Sequence, residues 1–230
     1  MKIGIILTPD NRSKAYIQKI LKHKILLNEI IFLNDLREEK NVSEQMIKQS
    51  KINEFDVSES VSMTLKNGKL NYKEFNFVDI NKNELIKYIK EKNIDFFIFT
   101  GGGILKQEIL SLRTKFIHFH PGIVPNYKGS TCFYYSILEE NNCGVTAFIM
   151  NEGLDTGNIL HQKVFDKPKH CFVDEIYDPH IRSETLIDVL KNDLICKNKF
   201  KKQDPNKGNT YYVIHPVLKH IAILNCIESE

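Results

Sequence analysis

A doubly wound, mostly parallel α/β sheet with a small C-terminal extension is the fold this 230-residue sequence predicts. Three observations point to it. Short branched apolar runs alternate with segments of helical period over roughly the first 160 residues, the pattern of repeated βα units. The runs are nearly continuous in apolar residues, as strands buried on both faces of a parallel sheet are. The chemically rich segments follow the runs, where such sheets bind their ligands.

Taken in order, residues 2–7 form the first strand, stopped by Thr8-Pro9-Asp10. Ser13 is the expected cap of a helix carrying Tyr16, Ile17, Ile20 and Leu21 at helical spacing. The loop 8–12 offers free N–H groups and the charge of Arg12. It lacks the glycines of a dinucleotide or phosphate-loop fingerprint, so an ordinary strand-to-helix turn outweighs a nucleotide site. Residues 25–33 read as a second strand. The polar stretch 34–55 follows, with a short helix near 43–49. Segments 61–65 and 70–72 alternate around Asn67-Gly68, which predicts a hairpin on the sheet's edge.

Residues 75–80 return to a strand pattern, and 81–93 read as a helix. There Asn81 and Glu84 stand at capping-box spacing, and Leu85, Ile86 and Ile89 face inward. Strand 94–99 runs into Thr100-Gly101-Gly102-Gly103, where the backbone can approach a flat ligand or turn sharply into a helix starting near Ile104. Strand 115–119 is followed by a helix over 131–141, with Phe133, Ile137 and Leu138 inward. Strands 144–150 and 159–165 complete the pattern. Beyond Asp166 the rhythm changes: 183–190 looks helical, 197–207 is a lysine-rich loop and 210–215 a short strand. Residues 1–165 therefore read as the catalytic domain and 166–230 as an extension packed on or extending it. Lys197, Lys199, Lys201, Lys202 and Lys207 could meet phosphates, although a charge run is more often a solvated loop.

With 32 basic and 29 acidic residues, the net charge of +3 sets up no broad field for nucleic acid or an anionic membrane. Cys132, Cys143, Cys171, Cys196 and Cys226 are scattered singly without a CxxC, which suits a reducing compartment and packing roles. The opening MKIGIILTPD has no signal-peptide core, and no later stretch approaches a membrane span, so a cytoplasmic protein is expected.

The chemistry gathers in residues 118–157, HFHPGIVPNYKGSTCFYYSILEENNCGVTAFIMNEGLDTG. His118 and His120 fall on one face of a strand that Pro121 ends, and Asp155 sits on a loop off the end of another. A histidine oriented by a carboxylate suits acyl transfer, which wants a donor at the developing oxyanion and an acceptor for the amine proton. Ser130 and Cys132 lie nearby without a nucleophile-elbow frame, so direct transfer is the natural route. His-x-His with an aspartate, joined by His161, is equally a first shell for zinc or iron, and buried structural histidines are a third reading. The spacing alone does not separate the three.

The segments HFHPGIVPNYKG and GVTAFIMNEGLDTGNILHQ resemble the motifs of the formyltransferases that use 10-formyltetrahydrofolate. That family includes methionyl-tRNA, glycinamide ribonucleotide and sugar-nucleotide N-formyltransferases. Weaker similarity in FIFTGGGILKQEIL and the N-terminal strands extends the resemblance over residues 1–165. It implies a Rossmann-like catalytic domain and 10-formyltetrahydrofolate as co-substrate, with no metal. His120 matches the catalytic histidine and Asp155 the catalytic aspartate, while His118 stands where the family has an asparagine that holds the formyl oxygen. Loss of such a donor typically costs about 100- to 1000-fold in rate, so His118 either tunes or weakens the site. By the same resemblance, Gly101, Gly102, Gly103, Ile104 and Leu105, with Glu152, Gly153, Leu154 and Asp155, contact the pterin.

The near-neutral charge and the short chain leave little for gripping transfer RNA, and the loop 8–12 lacks the phosphate loop of the glycinamide ribonucleotide enzymes. A primary amine on a nucleotide-linked amino sugar is then the expected acceptor, with neither nucleic acid nor membrane as partner. A homodimer is an allowed assembly. A formyl-folate hydrolase, a metal-dependent hydrolase using His118 and His120, and a catalytically weakened folate- or nucleotide-binding homologue are the alternatives.

Overall fold

The computed structural model describes residues 1–35, 41–197, 199–204 and 206–227. The chain divides into two compact units, residues 1–118 and 119–230. The described strands include a seven-stranded, mostly parallel sheet, the expected doubly wound α/β class.

In the first unit, β1 (Ile3–Leu7) lies between β2 (Glu29–Leu33) and β4 (Phe96–Phe99), parallel to both. Ile5, Ile6 and Leu7 are fully buried, as the unbroken apolar run requires. β3 (Lys73–Phe75) adds to β2, and β5 (Lys115–His120) pairs with β4, again parallel. Helix α1 (Asn11–Lys22) buries Ala15, Tyr16, Ile17 and Ile20. Its cap is Asp10 rather than Ser13: the Asp10 carboxylate accepts from the Ser13 N–H at 2.8 Å. That carboxylate takes the place an anion would have at the helix start.

Helix α2 (Glu44–Ile52) is the short helix expected near 43–49, and the Ser43 side chain caps it. The predicted hairpin is instead α3 (Val61–Asn67), in which the Ser60 side chain caps the Met63 N–H and Val61, Thr64 and Leu65 are buried. A capped start and a buried i, i+4 pair outweigh the Asn-Gly signal, which serves here to stop a helix. The strand predicted for residues 75–80 is also displaced, since β3 ends at Phe75. Helix α4 (Asn83–Lys92) buries Leu85, Ile86 and Ile89 but has no side-chain cap. Asn81 does not form a capping box; it donates to the Ile104 carbonyl and accepts from the Lys106 N–H, pinning the loop before α5 (Gln107–Leu110). That helix starts three residues after Ile104, which is itself exposed.

In the second unit, β6 (Tyr127–Gly129) pairs in parallel with β9 (Asn209–Tyr211), shorter than the strand predicted at 210–215. Helix α6 (Cys132–Glu140) buries Phe133 and Ile137. It leads into β7 (Asn142–Ile149), antiparallel to β8 (Ile159–Asp166). A π-helical turn (Val173–Tyr177) then opens α7 (Asp178–Lys191), which starts five residues before the helix read from the sequence. Helix α8 (Leu194–Lys197) and helix α9 (Pro216–Ile227), which the sequence reading missed, complete the unit. Among the described residues, no helix is long and apolar enough to cross a membrane.

Candidate active site

His120 ends β5 and is 2% exposed. Its Nε2 lies 2.9 Å from the Tyr127 carbonyl, an oxygen that can only accept, so Nε2 carries a proton. Nδ1 faces Asp155 Oδ2 at 3.4 Å. Burial lowers the His120 pKa below the ordinary histidine value, against the pull of the Asp155 carboxylate. The ring is thus held neutral by its surroundings, with a carboxylate beside it that favours a second proton. Gly122 is needed at this point, because a Cβ there would come within 2.8 Å of both Nε2 and the Tyr127 carbonyl.

Asp155 occupies the left-handed region with φ of 52° on the loop between β7 and β8. Its Oδ2 accepts from the Gly129 N–H at 2.7 Å, and its carbonyl accepts from Gln203 Nε2 at 2.9 Å. The same Gln203 nitrogen donates to the Gly157 carbonyl at 2.6 Å, so one amide clamps both sides of the aspartate turn. Gly129, at φ of 104°, has Tyr211 so close that a Cβ would lie 2.1 Å from its carbonyl. Gly157 meets the Ile149 carbonyl in the same way. The two motif glycines are therefore fixed by backbone approach on either side of Asp155.

A buried ion pair stands behind His120. Arg182 Nε donates to Asp178 Oδ1 at 2.6 Å, and Arg182 NH1 donates to the Phe119 carbonyl at 2.9 Å, one peptide before the histidine. Both residues lie on α7 at i, i+4 spacing and are nearly fully buried. The Arg182 charge adds to the lowering of the His120 pKa. The Cys132 thiol is pushed up to about 12 by burial, so it is no nucleophile near neutral pH.

The first unit holds His118, Gly101, Gly102, Gly103, Ile104 and Leu105. His118 Nδ1 lies 3.5 Å from the Phe99 carbonyl, at the limit of a hydrogen bond, and its ring centroid is 6.4 Å from that of Phe99. Gly101, Gly102 and Gly103 follow β4. Below them, Thr100 Oγ1 donates to the Ile6 carbonyl and shares hydrogen bonds with the Ser13 and Thr8 hydroxyls, while Arg12 donates to the Thr100 carbonyl. Arg12 thus supports the loop's base. Gly102 and Gly103 have φ of 128° and 98°, and the space beside Gly103 is empty within 4 Å of a built Cβ. Leu105 is buried whereas Ile104 is exposed. In the second unit, Glu152, Gly153 and Leu154 are exposed on the loop leading to Asp155. His161 sits on β8 opposite Ala147, its pKa lowered by burial. Among the described residues, no group of three or more His, Cys, Asp or Glu side chains could hold a metal ion.

Sequence reasoning missed the Tyr127 carbonyl, Gln203 and the Asp178–Arg182 pair. The pair's i, i+4 spacing was visible but fell outside the predicted helix. The Gln203 clamp reaches 48 residues along the chain and has no local signal.

Residues 33–179 match the family model described as formyl transferase, more than half of the chain. The chain belongs to the formyl transferase family. It is 26% identical over 156 residues to the methionyl-tRNA formyltransferase of Finegoldia magna, covering 66% of this chain and 50% of that protein. The chain thus spans about half the length of that curated relative. Solved family structures share the fold. A sugar N-formyltransferase from a Shewanella species aligns with a TM-score of 0.62 at 18% identity, covering 98% of this chain and 88% of the other. An N-formyltransferase from Helicobacter canadensis, solved with folinic acid and dTDP-3-aminofucose, aligns with a TM-score of 0.61 at 17% identity, covering 99% and 80%.

Proposed function

We propose that the protein transfers a formyl group from 10-formyltetrahydrofolate to the primary amine of a small molecule, an amino-sugar nucleotide in our reading. The observation that carries this is the buried His120 with its Nε2 proton on a carbonyl oxygen and its other nitrogen on Asp155. Family membership gives that pair its chemical context. The folate supplies a formyl group on nitrogen. His120 offers the Nε2–H that the Tyr127 carbonyl now holds to the formyl oxygen as it becomes an oxyanion. The acceptor amine attacks the formyl carbon and Asp155 takes up its proton through water; the bond from that carbon to the folate nitrogen then breaks, and that nitrogen leaves with the proton as tetrahydrofolate. The neutral Cys132 thiol agrees with direct attack.

By the family pattern we assign pterin contacts to Gly101, Gly102, Gly103, Ile104, Leu105, Glu152, Gly153, Leu154 and Asp155. The positive-φ glycines and the exposed side chains of Ile104 and Leu154 suit a flat, partly apolar ligand. His118 takes the place of the formyl-oxygen donor. We keep residues 1–165 as the catalytic domain and 166–230 as the extension, and expect a cytoplasmic enzyme. The sugar acceptor is supported by the Helicobacter canadensis protein, whose own complex contains dTDP-3-aminofucose. The absence of a strong net positive charge adds to it.

The test is to incubate the protein with 10-formyltetrahydrofolate and a panel of amino-sugar nucleotides, read by mass for a formyl increment. His120→Ala and Asp155→Asn should each lower the rate by about 10²- to 10⁴-fold while leaving the circular dichroism spectrum unchanged. Near-full activity in either variant sinks the assignment.

A further inference from the structure

The second unit carries a groove of about 470 Å³ lined by Ile123, Val124, Pro125, Asn126, Ile159 and Gln162. Lys201, Lys202, Gln203, Asp204 and Lys207 also line it. Its size falls in the range of small-molecule sites. Three lysines against one aspartate give it a net positive lining. Of the five lysines in the basic run, Lys197 and Lys199 are not part of it. The run is therefore split by the fold into a pair away from the groove and three that meet on it.

The groove is built on fixed backbone. Lys201 exchanges both backbone hydrogen bonds with Ile159, each at 2.8 Å. The Lys207 carbonyl accepts from Nζ of Lys128, itself 5% exposed, at 2.9 Å. Next to it, Gly208 at φ of 72° approaches so closely that a Cβ would lie 1.7 Å from the Pro125 carbonyl. The Asn209 N–H donates to the Asn126 carbonyl at 3.1 Å. Lysines on anchored backbone lose less conformational freedom on binding an anion than lysines on a free loop do. The groove walls are also the segments that hold the catalytic pair: Gln203 clamps Asp155, and Asn126 precedes the Tyr127 whose carbonyl meets His120.

We propose that this groove is a subsite for the phosphate or diphosphate group of the acceptor, held by Lys201, Lys202 and Lys207. Three lysines on one groove suit a multiply charged phosphate, which each lysine meets as a point charge. In naming the acceptor as the ligand, the proposal rests on the formyl-transfer reading; anion binding itself does not.

Inorganic pyrophosphate titrated into the full chain by calorimetry tests it. The wild type should bind with an affinity that falls as salt rises. The triple variant Lys201→Ala, Lys202→Ala, Lys207→Ala should bind at least about tenfold more weakly, whereas Lys197→Ala with Lys199→Ala should bind as the wild type does. Replacing the same three lysines by arginine keeps the charge and should keep binding, which separates lost charge from lost fold. No binding by the wild type, an unchanged triple variant, or an equal loss in the Lys197/Lys199 variant overturns the proposal. With formylation measured on the same proteins, the triple variant should raise the KM for a phosphorylated acceptor and leave kcat near the wild-type value. If pyrophosphate binding behaves as stated but no acceptor is formylated by the wild type, the formyl-transfer reading and the acceptor's place in the groove both fall. If acceptors are formylated and the triple variant has an unchanged KM, the groove assignment alone falls.

Discussion

His120 is caught between two oxygens that ask different things of it. The Tyr127 carbonyl requires a proton on Nε2, and the neutral ring that burial favours then turns the lone pair of Nδ1 toward the Asp155 carboxylate. Oδ2 is shared with the Gly129 N–H at 2.7 Å, and that stronger contact holds the acid in place while the histidine sits at 3.4 Å. A ring poised in this way can offer Nε2–H to a developing oxyanion without first being protonated. His118 poses a separate question. If its Nδ1 proton points at the Phe99 carbonyl 3.5 Å away, its Nε2 is an acceptor and supplies no donor to an oxyanion. An asparagine amide supplies a donor without this dependence on tautomer. His118→Asn should therefore preserve or raise kcat, and a total loss of activity would show that His118 has a role of its own.

The loops around Asp155 are held by elements distant in sequence. Gln203 clamps the aspartate turn, β9 packs against Gly129, and α7 supports the strand end through Arg182 and the Phe119 carbonyl. Removing one member of a buried ion pair leaves the other charged and desolvated, at a cost of about 3–5 kcal/mol. Arg182→Met should thus lower the melting temperature by on the order of 10 °C. A shift of a degree or two would mean the pair contributes little to the fold. These supports also mark where sequence reading ends. The strand-helix alternation and the placement of His120 at a strand end and Asp155 on a loop could be read because each rests on local periodicity or a short motif. Asn67-Gly68 misled because the same dipeptide stops a helix or turns a hairpin, and burial of Val61 and Leu65 decides between them. Asn81 misled in turn because its side chain reaches the backbone at 104–106 in preference to its own helix. Gln203 left no trace, since a clamp on backbone carbonyls needs no particular residue at the far end.

Across the molecule, three histidines share one direction: burial lowers the pKa of His120, His161 and His170. Their neutral forms are favoured in the folded state, so each binds a proton more readily when unfolded. The stability they contribute is present above about pH 6.5, the ordinary histidine value, and is lost as pH falls below it toward the lowered folded values. The melting temperature should fall between pH 7.5 and pH 5.5, and a flat or rising trend on acidification would contradict the burial. The near-balance of 32 basic and 29 acidic residues leaves recognition of the proposed anionic acceptor to local clusters, such as the groove at Lys201, Lys202 and Lys207. The central claim is formyl transfer by His120 and Asp155, and the most direct measurement follows a carbon-13 formyl group from 10-formyltetrahydrofolate by mass. With the wild type the label should appear on the amine of an amino-sugar nucleotide, and with His120→Ala it should stay on the folate. Label released as formate by the wild type without any formylated acceptor, or transfer undiminished in His120→Ala, would contradict the account.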